Sequence, residues 1–354
     1  MDGKLDLGQM FMVGFDGVEV DANHAIMKAI TRDQLGGVIL FDYNVDGTRQ
    51  NILTSLQLYK LTGSLQRYAD VPLLVAVDQE GGRVCRLKEG DGFPTSVSAA
   101  FLGGENDLRE TGNYADITAE TLAEHGINFN LAPVVDLAIN VENAIISRYE
   151  RSYGADPEQV VRHATEFIQA HHQRGIACCL KHFPGHGSST SDSHLGFVDI
   201  TDCWQEDELD PYQKMFASGF SDAVMTAHVV HRHLDADGLP ATLSNKIIGS
   251  LLRKQLGFSG VTVSDDLQMK AITDHWDYGT SVQMAVLAGV DLLVIGNNLV
   301  RQEDVVLNGI RAIEELLDNG TIEEEFLRSA LNRVAALKKK IAGVVPWTGN
   351  QPIT

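Results

Sequence analysis

Eight short apolar runs, most of them rich in strand-forming residues, recur along this chain. They are Met10–Phe15, Val38–Phe41, Leu73–Val77, Ile127–Val135, Ala177–Leu180, Ala223–Thr226, Val261–Val263 and Leu292–Ile295. Helix-like stretches separate them. Strands that alternate with helices imply a parallel sheet with crossover helices. Eight such units within 354 residues predict an α/β fold, a single (β/α)8 barrel of the TIM type. A doubly wound sheet is the alternative. It lacks support, because no Gly-x-Gly-x-x-Gly follows the first run and no Walker loop occurs.

No linker, low-complexity segment or charge block divides the chain, so one domain is expected over residues 1–345, with a tail at 346–354. A last helix is predicted over Thr321–Ile341. Thr321 and Glu324 make a capping pattern, and Ile322, Phe326, Leu331, Val334, Leu337 and Ile341 keep helical spacing. Asn319-Gly320 reads as the end of the helix before it.

The formal net charge is −20, which argues against nucleic acid or an anionic membrane as a partner. No stretch of about 18 apolar residues is free of charge, so no membrane span is expected. Asp2 and Asp6 fall early in an N-terminus without a small-residue cleavage site, so no secretory signal is expected. Cys85, Cys178, Cys179 and Cys203 show no metal-ligand spacing and read as reduced thiols of a cytosolic protein. Cys178 and Cys179 are adjacent in a strand, so they face opposite sides.

Polar residues follow nearly every apolar run. Asp16 follows the first, and Asp78 and Asp136 end the third and fourth. Lys181-His182 follows the fifth, His228 the sixth, Asp265-Asp266 the seventh and Asn297-Asn298 the eighth. In a parallel barrel these ends share one face, where active sites are built. The run Lys181-His182-Phe183-Pro184-Gly185-His186-Gly187 leads into a Ser-rich loop holding Asp192-Ser193-His194. An Asp beside a His holds the ring in one tautomer and favours its charged form, which makes a proton donor.

Asp265 leaves a β-branched strand directly, as a rigid nucleophile must. The donor His194, with Asp192 as its partner, sits on a loop that can reach a leaving group. Glycoside hydrolysis needs such an anion on one side of the sugar and a donor on the other. Asp265 could instead cap a helix, a task that Asp266 can also perform. A metal-dependent barrel hydrolase is the competing chemistry, but the first strand has no His-x-His pair and no His-Glu-x-x-His occurs. His24, His125, His163, His171, His172 and His275 read as ordinary surface or helix residues.

Taken together, several segments resemble glycoside hydrolase family 3, in its β-N-acetylglucosaminidase subgroup. They are Gly36–Phe41, Val77-Asp78-Gln79-Glu80-Gly81-Gly82-Arg83, Arg151-Ser152-Tyr153-Gly154, Lys181–Gly187 with Asp192-Ser193-His194, and Ser264-Asp265-Asp266-Leu267. The resemblance implies a retaining exo-β-N-acetylglucosaminidase acting through a covalent glycosyl-enzyme. Asp265 corresponds to the nucleophile and His194 to the general acid/base, with Asp192 as its partner. Asp78, Arg86, Arg151, Lys181 and His182 correspond to residues that bind the terminal N-acetylglucosamine. The implied substrates are cell-wall muropeptide fragments or chitooligosaccharides, and the implied setting is cytoplasmic wall recycling. No metal or cofactor is expected, and the only partner expected is a small carbohydrate, bound by a monomer or weak homodimer. A β-glucosidase or a glycoside phosphorylase is the alternative within the family, and a sugar-binding barrel without activity is the non-enzymatic one.

Overall fold

The computed structural model describes residues 5–190, 196 and 198–342. Asp192, His194 and the tail 346–354 lie outside the described residues. The eight runs form eight strands: β1 (Phe11–Val13), β2 (Gly37–Leu40), β3 (Leu74–Val77), β4 (Phe129–Asn130), β5 (Ala177–Phe183), β6 (Ala223–Thr226), β7 (Val261–Ser264) and β8 (Leu293–Ile295). Their order around the sheet is β8-β1-β2-β3-β4-β5-β6-β7, with every pair parallel. A parallel bridge between Val263 and Leu292 joins β7 to β8, so the sheet closes on itself. This is a (β/α)8 barrel.

Alternation along each strand sorts the core into two shells. Met12, Leu74, Ala76, Phe129, Ala177, Cys179, Ala223, Met225, Val263 and Val294 form an inner cluster. Large Phe and Met side chains beside three alanines fill a lumen too narrow for bulky residues at every position. Phe11, Val38, Val75, Cys178, Leu180, Val224 and Ile295 point the other way, into a larger cluster shared with the helices. Cys178 and Cys179 thus fall on opposite faces, and with Cys85 they are buried free thiols.

Helices follow the strands in turn. Ala25–Arg32 follows β1, Ser55–Arg67 follows β2, Leu108–Glu124 follows β3 and Pro157–Gln173 follows β4. Local chemistry starts them. The Asp156 side chain accepts from the Glu158 N–H at 3.1 Å with Pro157 just inside the helix, and Asp107 accepts from Arg109 N–H at 2.9 Å. No helix among the described residues is long and apolar enough to cross a membrane.

Two sequence expectations shift. The fourth run does not pair throughout, since Pro133 has no N–H to give. The regular ladder ends at Asn130, and beyond it single bonds tie the run to β5, from Cys179 N–H to Ala132 O and from Val135 N–H to Lys181 O, each at 2.9 Å. The last helix begins at Glu324 instead of Thr321, because the Thr321 N–H and hydroxyl are both spent on the Asn319 side chain. His163 and His171 lie in the helix Pro157–Gln173, in line with the expected surface or helix placement, and like His125 they are buried. His171 Nδ1 is 2.8 Å from Phe167 O and its ring stacks on Phe167, while burial pushes its pKa down to about 4.

The helix Glu324–Ala342 closes one end of the barrel. Val334 and Leu337 enter the inner cluster, and Ile341 packs against it. Ion pairs clip it there. Fully buried Asp291 receives three hydrogen bonds from Arg333, at 2.8, 3.0 and 3.1 Å, one from Thr262 N–H at 2.8 Å, and one from Arg253. Losing this carboxylate strands two arginines and an amide. Asp291→Ala is expected to cost about 3–5 kcal/mol, the range for breaking a buried pair from one side. Urea unfolding measures it, and a loss below 1 kcal/mol would show that the clip is dispensable.

Candidate active site

A pocket of about 360 Å³ opens at the C-terminal strand ends. Asp78, Glu80 and Arg86 come from the segment after β3, Arg151 from the segment after β4, Lys181 and His182 from β5, and Asp265 from the end of β7. Phe41, Tyr149, Met225 and Met269 wall it. A larger groove of about 950 Å³ runs between the helices Asp210–Ala217 and Lys246–Gln255. It lies on the flank, away from the converging carboxylates, so size does not decide where the chemistry is.

All six described site residues named from sequence line this one pocket. Lys181 and His182 differ from expectation in one respect. They lie within β5, which runs on to Phe183, rather than in a loop after it. Lys181 is nearly fully buried, and its ammonium donates to Asp78 Oδ1 at 2.8 Å and contacts Glu80 Oε1 at 2.7 Å. Arg151 grips the same Glu80 with two parallel bonds, Nε to Oε2 and Nη2 to Oε1, each 2.7 Å. A bidentate charge-assisted pair fixes both planes. Burial opposes the charge on Glu80, yet Arg151 and Lys181 outweigh it and hold the carboxylate well below its usual range. Burial likewise works against Lys181 and Arg151, and the carboxylates around them raise both above their ordinary values.

Arg86 stands 3.6 Å from Asp78 and 3.8 Å from Asp42, with its guanidinium 5.4 Å from the centre of the Phe41 ring. His182 is oriented from both sides. Its Nδ1 is 2.7 Å from Asp136 Oδ2, and its Nε2 is 3.2 Å from Arg151 Nη2. The fully buried Asp136 also takes the backbone N–H of His182 and of His186. Burial opposes its charge, but His182 and these amides hold its pKa below the usual value.

Asp265 follows directly on Ser264, the last residue of β7. Its backbone N–H donates to Thr226 O at 3.2 Å, and its Oδ1 accepts from Asp266 N–H at 2.8 Å. Asp266 serves the backbone. Its Oδ1 accepts from Gln268 N–H and Gly296 N–H, each at 3.0 Å. Neither Asp caps the helix Lys270–Thr273, whose N-cap is Met269; Asp266 ties the turn after β7 to Gly296, and both carboxylates line the pocket. His228 is structural, with Nδ1 2.8 Å from Thr242 Oγ1 and Nε2 2.9 Å from Asp266 O.

Sequence reasoning missed Glu80 and Asp136 as site residues, although both stood in the segments it singled out. Asp136 had been seen as a strand-end residue, and Glu80 lies two positions after Asp78. It also missed Glu208, which is buried beneath the turn after β5. Glu208 accepts from Gly187 N–H at 2.9 Å and Ser188 Oγ at 2.5 Å. Burial pushes its carboxyl up to about 7, although the bond from Ser188 pulls the other way.

Fold and pocket define a parallel-barrel enzyme with a carboxylate-rich site at its strand ends. Residues 4–337 match the model of the glycosyl hydrolase family 3 N terminal domain. A β-hexosaminidase of Tolumonas auensis is 36% identical over 292 residues, which are 81% of this chain and 82% of that protein. A family 3 β-N-acetylglucosaminidase from Paenibacillus superposes with a TM-score of 0.88 at 35% identity. The match covers 99% of this chain but 64% of that one, so this chain spans somewhat less than two thirds of that relative. A β-N-acetylhexosaminidase from Beutenbergia cavernae gives 0.82 at 29% identity, over 94% of this chain and 97% of that one. The chain belongs to glycoside hydrolase family 3.

The raised Glu208 pKa carries a sign. The native carboxyl holds its proton more tightly than the unfolded one, whose ordinary value is 4.5. Its contribution to stability is therefore complete below that value and is lost as pH rises through about 7. Urea unfolding at pH 5 and pH 8 should show wild type losing stability relative to Glu208→Gln. Equal changes in the two proteins would contradict the burial argument.

Proposed function

We propose that the chain is a retaining exo-β-N-acetylglucosaminidase. The observation that carries this reading is that Asp265 lines the same pocket as the Asp78–Lys181–Glu80–Arg151 network. Fixed carboxylates and cations suit the hydroxyls of a pyranose, because charge-assisted hydrogen bonds are the stronger kind. A pocket closed at one end by these groups suits a terminal sugar. The Paenibacillus β-N-acetylglucosaminidase and the Beutenbergia cavernae β-N-acetylhexosaminidase support N-acetylglucosamine as that sugar.

In the proposed mechanism a carboxylate oxygen of Asp265 attacks the anomeric carbon. The glycosidic bond breaks, and its oxygen takes a proton from His194, which Asp192 orients. Water then gives its proton to His194 and its hydroxide to the anomeric carbon, which frees Asp265. Asp78, Arg86, Arg151, Lys181 and His182 hold the sugar. Cell-wall fragments or chitooligosaccharides supply it, in the cytoplasm.

Asp265→Asn should abolish turnover while keeping the fold, and a fluorinated N-acetylglucosaminide should label Asp265 in the wild type. A labelled peptide bearing another carboxylate would overturn the assignment. His194→Ala should cost roughly 10²–10⁴-fold with a poor leaving group and much less with an activated aryl one. Asp192→Ala should follow the same trend. Equal losses on both substrates would indicate binding instead of proton transfer. Adding phosphate to these assays distinguishes a phosphorylase, which would release sugar 1-phosphate.

A further inference from the structure

Among the described residues, His186 is a buried pocket residue whose chemistry is unused so far. It follows β5 in the turn Gly185–Ser189, and three side chains hold that turn. Asp136 Oδ1 accepts the His186 backbone N–H at 2.8 Å. Asn143 Nδ2 donates to His186 O at 2.7 Å and to Ser189 Oγ at 3.1 Å. Glu208 accepts from Gly187 and Ser188. Gly187 lets the turn press against its neighbour, since a Cβ there would fall 1.7 Å from Leu137 O.

The ring is 2% exposed and lines the pocket. Its Nδ1 lies 2.7 Å from Ser189 Oγ. Its Nε2 is buried and has no hydrogen-bond partner among the described residues. Among the described residues Arg86 Nε is another buried pocket donor without a partner, while Tyr212 and Thr262 carry a buried hydroxyl without one and do not line this pocket. An unpartnered buried donor held this firmly in a binding pocket is a group waiting for a ligand.

The ring's protonation state limits what that ligand can be. Burial lowers the His186 pKa to about 4 against the pull of Asp136, so the ring is neutral and carries one N–H. Ser189 Oγ accepts from Asn143 and can give its own proton to Nδ1. In that tautomer the N–H sits on Nε2, which becomes a donor in need of an oxygen.

Its surroundings add to this. The His182 ring is 6.3 Å away and perpendicular, and His182 is in turn bonded to Arg151. Ile145, whose carbonyl accepts from Arg151, also lines the pocket. A neutral donor, an apolar side chain and a bound imidazole thus share one corner.

We infer that His186 Nε2–H donates a hydrogen bond to an oxygen of the terminal sugar, in the corner that it shares with Ile145 and His182. A ring hydroxyl and an acetamido carbonyl offer the same acceptor. The inference rests on the sugar-pocket reading and adds a contact to it.

Kinetics on p-nitrophenyl β-N-acetylglucosaminide and β-glucoside test it, with wild type, His186→Ala and His186→Gln, each checked by thermal melting. Wild-type turnover of the first substrate tests the sugar-pocket reading by itself. His186→Ala should then lose about 10–100-fold in kcat/KM, mostly through KM, the size expected for one unmade buried hydrogen bond. Inhibition by free N-acetylglucosamine should weaken to match, and Gln, which keeps a donor, should restore part. Loss on both substrates assigns the contact to a ring hydroxyl, and loss on the N-acetyl substrate alone assigns it to the carbonyl. Unchanged kcat/KM on both overturns the inference.

If the Ala variant does not fold, ¹⁵N-histidine spectra of the wild type decide. Titration with N-acetylglucosamine should shift the His186 Nε2–H resonance and slow its exchange. A resonance that stays put while the sugar binds overturns the inference.

Discussion

Everything in the pocket depends on one carboxylate shared by two cations. Glu80 lies between Lys181 and Arg151, and Lys181 passes its charge on to Asp78. The contact ties together the segments after β3 and β4 and strand β5 itself. None of these groups is affordable alone, since an isolated buried charge costs several kcal/mol even after relaxation. Together they satisfy one another. Breaking such a pair from one side typically costs about 3–5 kcal/mol, a large share of a stability of about 5–15 kcal/mol. The network therefore acts as part of the core while presenting its outer faces to a ligand. His182 is locked onto it through Arg151 and is held from its other side by Asp136, so six charged or polar groups form one linked network.

The site divides between rigid and connecting parts. Asp265 comes straight off β7, whose four strand residues are fully buried. The proposed donor lies on the segment after β5, whose first turn is held by Asp136, Asn143 and Glu208. An attacking group must be placed to within a fraction of an ångström, while a proton donor must follow leaving groups of different shape. On the proposed mechanism the barrel supplies the first and the loop the second. The same turn holds His186 against the pocket.

Much of this was legible in the sequence, for a physical reason. Parallel strands are buried on both faces and read as continuous apolar runs, and in a barrel their ends share one face. Asp78, Lys181, His182 and Asp265 could therefore be gathered from positions far apart in the chain. Which neighbour carries which task was harder to see. Glu80 and Asp78 lie two residues apart after β3, and only the geometry beyond the strand end shows that Glu80 is the shared anchor. Asp265 and Asp266 pose the same problem, and it is resolved by the amides of Gln268 and Gly296 closing on Asp266. Strand length was also hidden. Lys181 and His182 look like the start of a loop because they are polar, yet Asp78, Glu80 and Asp136 satisfy them inside β5. The burial of the helix residues His163 and His171 was hidden for the same reason, since a polar residue with a partner elsewhere in the fold gives no local sign of burial.

The central claim is that Glu80 preorganises the sugar seat without being a mere structural tie. Calorimetric titration of N-acetylglucosamine into Glu80→Gln and wild type tests it most directly, with melting curves to confirm that both are folded. Glutamine keeps the shape but cannot hold two cations. The account predicts that affinity falls tenfold or more in a folded variant, because Lys181 and Arg151 lose the charge that fixes them against Asp78 and His182. Equal affinity in the two proteins would contradict it.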